Sequence, residues 1–155
     1  MKKILLGIIL TISLLFLTAC SLSKNALSTK DYIKIMKKKE NFTIADITSQ
    51  YDENTYVKEA TLALNNSKEY QIEFYVLDNK DSAKDMFNRN KKIFEESEYV
   101  SRFSETVNMI NYSYYKITNE KEFKYICRVE NTFLYINTSK DNKEEINKII
   151  KELGY

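Results

Sequence analysis

Apolar residues recur along this chain in two rhythms. Ala83, Met86, Phe87, Asn90, Ile93 and Phe94 follow intervals of three and four, with one amide in an otherwise apolar stripe. That spacing predicts an amphipathic helix, capped by Asp78 or Asn79 and ending near Ser97. Ser28 with Asp31 three residues on resembles a capping box, so a first helix is expected from Thr29 to about Lys39, with Tyr32, Ile33 and Met36 inward. A last helix is expected from about Asp141. Ile146, Ile149, Ile150 and Leu153 make its stripe, Lys148 and Lys151 suit its C-terminal dipole, and Gly154 closes it.

The other rhythm is alternation, which predicts strands. Phe42 to Ile47 reads as a short strand, and Val57–Leu64 with Lys68–Leu77 as a hairpin around Asn65-Asn66-Ser67. A three-residue turn would set Leu62 opposite Tyr70, Ala60 opposite Ile72, and Glu59 opposite Glu73. Val107 to Ile117 reads as one strand. Phe123–Val129 and Thr132–Thr138 form a second hairpin around Glu130-Asn131. Phe123, Tyr125, Cys127 and Val129 then share a face with Leu134 and Ile136. The expected order is α-β-β-β-α-β-β-β-α, which suggests an αβββ pseudo-repeat. The fold class is α+β: a mostly antiparallel sheet of about six strands with helices packed on one face.

The N-terminus has neither rhythm. Met1-Lys2-Lys3 is basic, and Ile4 to Phe16 is an apolar run of about a dozen residues, as in a secretory signal. Leu17-Thr18-Ala19-Cys20 follows it. These residues resemble the lipobox of bacterial lipoprotein precursors. Together with the composition, they resemble small lipoproteins of low-GC Gram-positive bacteria. The resemblance implies a signal peptide over residues 1–19, cleavage before Cys20, and acyl chains on Cys20 that anchor the protein to the extracytoplasmic face of the cell membrane. Residues 20–28 would form a lipidated tether, and residues 29–155 a single domain. The alternative is an uncleaved anchor, since a charge-free stretch of about 20 residues can span a bilayer.

Charge and composition narrow the chemistry. The formal charge is +2, and Lys2 and Lys3 account for it, leaving 22 basic and 22 acidic residues from Cys20 onward. A balanced chain has no long-range pull on nucleic acid, so no nucleic-acid partner is expected. There is no His, and the only glycines are Gly7 and Gly154. Histidine-based triads and glycine-rich phosphate loops are therefore excluded, and no cofactor or metal is expected.

Candidate chemistry remains at a few positions. Glu59 opposite Glu73 would be a carboxylate pair suited to acid–base work or a cation, or else a solvated face. Cys127 reads as a buried thiol, or as a reactive one if a cation lies near. Asn90 reads as a core amide bonded to a loop backbone, or as a ligand group. Ile126, Phe133 and Tyr135, with Lys124 and Arg128 beside them, lie on the sheet face opposite the core row. That face is either covered by loops or a binding surface for a protein or glycan of the cell envelope. The function expected is a membrane-anchored, non-catalytic binding module. The alternative is a carboxylate-based hydrolase of envelope polymer using Glu59 and Glu73.

Overall fold

A computed structural model describes residues 23–51, 56–67, 69–96 and 103–155. The segments read as a signal peptide and a lipobox, with Cys20, lie outside the described residues. No helix among the described residues is long and apolar enough to cross a membrane.

The fold is α+β. Among the described residues three helices, α1 (Thr29–Met36), α2 (Lys80–Glu96) and α3 (Lys143–Leu153), accompany seven strands. The strands are β1 (Phe42–Asp46), β2 (Val57–Asn65), β3 (Gln71–Leu77), β4 (Phe103–Asn108), β5 (Tyr112–Thr118), β6 (Glu122–Val129) and β7 (Thr132–Ser139). They form one antiparallel sheet in the order β1-β2-β3-β7-β6-β5-β4. Two meanders, β1–β3 and β4–β7, are thus joined where β3 meets β7.

The caps form as the sequence expects. Ser28 Oγ accepts from the Asp31 N–H at 3.1 Å and donates to the Asp31 carboxylate at 2.6 Å. Asn79 Oδ1 accepts from the Ser82 N–H at 2.9 Å at the start of α2. Gly154 ends α3 in the left-handed region at φ +76°, where a Cβ is disfavoured. The β6–β7 hairpin also forms as expected, with Val129 opposite Thr132 and Cys127 opposite Leu134. Its two-residue turn places Glu130 at φ 54°.

Four expectations are corrected. The helices cover both faces of the sheet. α1 and α3 bury Tyr32, Met36, Ile146, Ile149 and Leu153 against Ile72, Phe74, Leu134 and Ile136. On the opposite face α2 buries Ala83, Phe87 and Phe94 against Tyr75, Ile117, Ile126 and Phe133. The molecule is a three-layer helix–sheet–helix stack.

The sheet has seven strands, because the segment read as one strand over Val107–Ile117 is a turn and parts of β4 and β5. The Met109 N–H donates to the Tyr112 carbonyl at 2.8 Å and closes that turn. The turn carries the apolar pair Met109-Ile110, which disguised it. The αβββ repeat gives way with the strand count. A two-fold relating β3 to the antiparallel β7 would keep the following helices on one face, whereas α2 and α3 lie on opposite faces.

The β2–β3 register is shifted by three residues. Ala63 lies opposite Ile72 and Leu62 opposite Glu73. Asn65 donates its N–H to the Tyr70 carbonyl at 3.1 Å, so the loop is residues 66–69. An Asx turn, the Ser67 N–H on Asn65 Oδ1 at 3.0 Å, starts it. In a sheet buried on both faces, alternation cannot select one register, because either row of β2 finds an apolar layer.

Buried aliphatic residues on either face should behave as core. Ile136→Ala, beneath α1 and α3, and Ile126→Ala, beneath α2, should each destabilise by about 2–5 kcal/mol. Urea denaturation of both variants checks this. An effect of Ile126→Ala near zero would mean that its face is open.

Candidate functional site

The five residues of the expected binding surface do share one sheet face, but the face is not open. Ile126 and Phe133 are 0% and 1% exposed, Lys124 7% and Arg128 8%. Their cover is α2, which runs from β3 to the far edge strand β4 and must pass over β7, β6 and β5. Four strand spacings are about 19 Å, and a helix of this length spans about 25 Å. Lys124 is held beneath it, with its ammonium 3.1 Å from Glu122 and 5.5 Å from the centre of the Phe94 ring.

The helix does not seal the whole face. Beside it, over β3 and β7, lies a cavity of about 240 Å³ lined by Glu73, Tyr75, Met86, Asn90, Phe133 and Tyr135. Strand alternation places Glu73 and Tyr75 on this face, and Tyr135 stands directly opposite Glu73. Met86 and Asn90, one helical turn apart, form the α2 wall. Four residues singled out from the sequence, Glu73, Asn90, Phe133 and Tyr135, therefore meet here. Tyr75 was missed as a site residue; its alternation with Glu73 was visible, but its burial depends on α2.

Glu73 is the polar centre. Its carboxylate accepts from Gln71 Nε2 at 2.7 Å and from the Tyr75 hydroxyl, which in turn accepts from the Tyr51 hydroxyl at 2.9 Å. An ionised carboxylate has about four acceptor positions, so capacity remains toward the cavity. Burial, and then the bond to Glu73, hold the Tyr75 hydroxyl far above the usual tyrosine range. Burial, and then the Glu73 charge, raise Tyr135 as well. Both phenols are therefore neutral donors. Asn90, expected to bond a loop backbone, bonds its own helix instead. Its amide donates to the Met86 carbonyl at 2.9 Å, and the residue lines the cavity.

The carboxylate pair does not form. Glu59 is opposite Val76, and Glu73 is opposite Leu62. Val76 packs with the α1–α3 core and Tyr75 with the α2 core, so Glu59 and Glu73 stand on opposite faces of the sheet. They cannot flank one scissile bond, which removes the pair on which a two-carboxylate hydrolase would depend.

Cys127 is buried, and burial pushes its thiol up to about 12 despite a bond from Tyr125. No group of three or more acidic or Cys side chains is placed to hold a metal ion among the described residues. No protein-family model, no curated protein and no solved structure matches the chain.

Two outcomes follow from these proton affinities. Cys127 should resist iodoacetamide at neutral pH in the folded protein and react on unfolding, because a buried thiol carries almost no thiolate; mass spectrometry reads this directly. The raised Tyr75 and Tyr135 hydroxyls should make stability fall as pH climbs past the ordinary tyrosine value of 10.0. Above it the unfolded chain has released protons that the native state retains, so stability is complete below that value and declines above it. Urea midpoints between neutral and strongly alkaline pH measure the decline.

Proposed function

We propose that this protein is a lipid-anchored binding module on the extracytoplasmic face of a bacterial cell membrane. The lipobox at Leu17-Thr18-Ala19-Cys20 supports the anchor, since the basic, apolar and small-residue parts precede the cysteine at the spacing of lipoprotein precursors. Cleavage before Cys20 removes Lys2 and Lys3 and leaves a charge-balanced chain. Its partner is then recognised by shape and local contacts rather than by a long-range field.

The observation that carries the binding reading is the Glu73 cavity. Its aromatic walls present ring faces, and its carboxylate and amide oxygens accept hydrogen bonds. That combination suits a group with one apolar side and several donors, such as a sugar ring of an envelope glycan. The cavity is a recess for one such unit, and the rest of the partner would lie across the rim. Among the described residues no second carboxylate lines the cavity, so recognition without cleavage is the reading it favours.

Two measurements test this function. Cys20→Ser should abolish incorporation of labelled palmitate in growing cells; undiminished labelling removes the lipid anchor. Titration of the full chain in neutral-detergent micelles with soluble envelope glycan fragments should shift amide resonances around β3 and β7. Glu73→Gln and Tyr135→Ala should each weaken binding about tenfold with the fold intact, the scale of a charged hydrogen bond or a stacking contact. Unchanged affinity in both variants overturns the cavity as the binding site.

A further inference from the structure

The opposite flank of α2 carries a second cavity, of about 300 Å³, which shares no lining residue with the first. Its polar lining comes from Arg128, Ser113 and Asn108, with Lys84 and Asn88 from α2. Ser113 lies directly opposite Arg128, and Asn108 opposite Ser113, so the three sheet residues form one polar row across β6, β5 and β4. Lys84 and Asn88 are one helical turn apart on the α2 flank facing away from Met86 and Asn90.

Arg128 is the anomaly in this row. It is 92% buried. Its Nε has no hydrogen-bond partner. Among the described residues its one hydrogen bond runs from Nη2 to the Met109 carbonyl at a long 3.4 Å. No ion pair joins it to a carboxylate among the described residues. Glu130, two residues on, pairs directly with Lys80, and its charge reaches Arg128 only at longer range. A buried cation with no anion in direct contact is a costly group for a fold to carry. The apolar lining is equally unusual: Ile110, in the β4–β5 turn, borders the cavity and is fully exposed.

We propose that this cavity is a binding site for a small organic acid. The oxyanion head, a carboxylate or a phosphate monoester, takes the fork of Arg128, the ammonium of Lys84 and the hydroxyl of Ser113. The carbon body lies against Met109 and Ile110. The head supplies the directly bonded anion that Arg128 lacks, and a guanidinium matches either oxyanion through paired N–H donors. The body covers the isoleucine that the fold leaves bare. The site goes beyond the glycan reading of the Glu73 cavity and stands without it.

Nuclear magnetic resonance of the full chain in neutral-detergent micelles tests the proposal, following the Arg128 Nε–H signal at constant ionic strength. The probes are butyrate, butyl phosphate and inorganic phosphate. At least one organic acid should saturate the shift with a dissociation constant at or below about 1 mM. It should bind about tenfold more tightly than inorganic phosphate, from burial of two or more methylenes. Arg128→Lys, followed through the Ser113 and Met109 backbone amides, should weaken binding of every probe, and Lys84→Ala should weaken binding severalfold. Lys84 is exposed, so Lys84→Ala leaves the core intact and decides the matter even if Arg128→Lys fails to fold. Absence of saturation, equal binding of inorganic phosphate, or unchanged affinity in Lys84→Ala each overturns the proposal.

Discussion

The structure depends on the antiparallel pairing of β3 with β7. Ile72 meets Ile136, Phe74 meets Leu134, and Tyr75 meets Phe133, more than fifty residues away in sequence. Every other strand pair joins neighbours in the chain through a loop, and such contacts are inexpensive in entropy. This one closes the long loop, and it merges two meanders, each with its own edges, into a single sheet. It also dictates the path of α2, which leaves the middle of the sheet at β3 and must return to the far edge at β4. The helix therefore crosses the α2-side face, and β3–β7 pairing decides which residues it buries.

Two cavities follow from that crossing. A helix about 10 Å wide cannot cover a face of seven strands, so its flanks stay open on either side. On one flank the sheet presents Glu73 between tyrosines; on the other it presents Arg128 with serine and asparagine. The two sites carry opposite charges. Along one row the sheet changes from Asn108, Ser113 and Arg128 on β4, β5 and β6 to Phe133 and Tyr75 on β7 and β3. A nearly neutral chain thus holds two local fields of opposite sign, separated by a buried apolar strip.

Much of the local structure was legible. The α2 stripe, the Ser28 cap, the Gly154 stop and the β6–β7 register all rest on contacts within about a dozen residues, where spacing and turn chemistry suffice. The β2–β3 register was not legible, because Asn65-Asn66-Ser67 suits turns of several lengths. The turn between β4 and β5 was hidden by Met109 and Ile110, apolar residues where polar ones usually stand. Of the candidate site, Glu73, Asn90, Phe133, Tyr135 and Arg128 were visible as residues. Their grouping was not, since Glu73 and Tyr135 become neighbours only through β3–β7, and Arg128 faces Lys84 only beneath α2.

The sequence by itself determined most of the elements, their caps, the α+β class, the charge balance and the spacing of the residues ahead of Cys20. Each is set by residues close together along the chain. Only the tertiary structure decided that the sheet is covered on both faces and that Glu59 and Glu73 stand apart. It alone turned the aromatic and basic face of β6 and β7 into a buried layer with a cavity on each side. The physical reason is that alternation assigns residues to two rows but does not say what packs on either row. That choice belongs to the helices, and their positions follow from which distant strands pair.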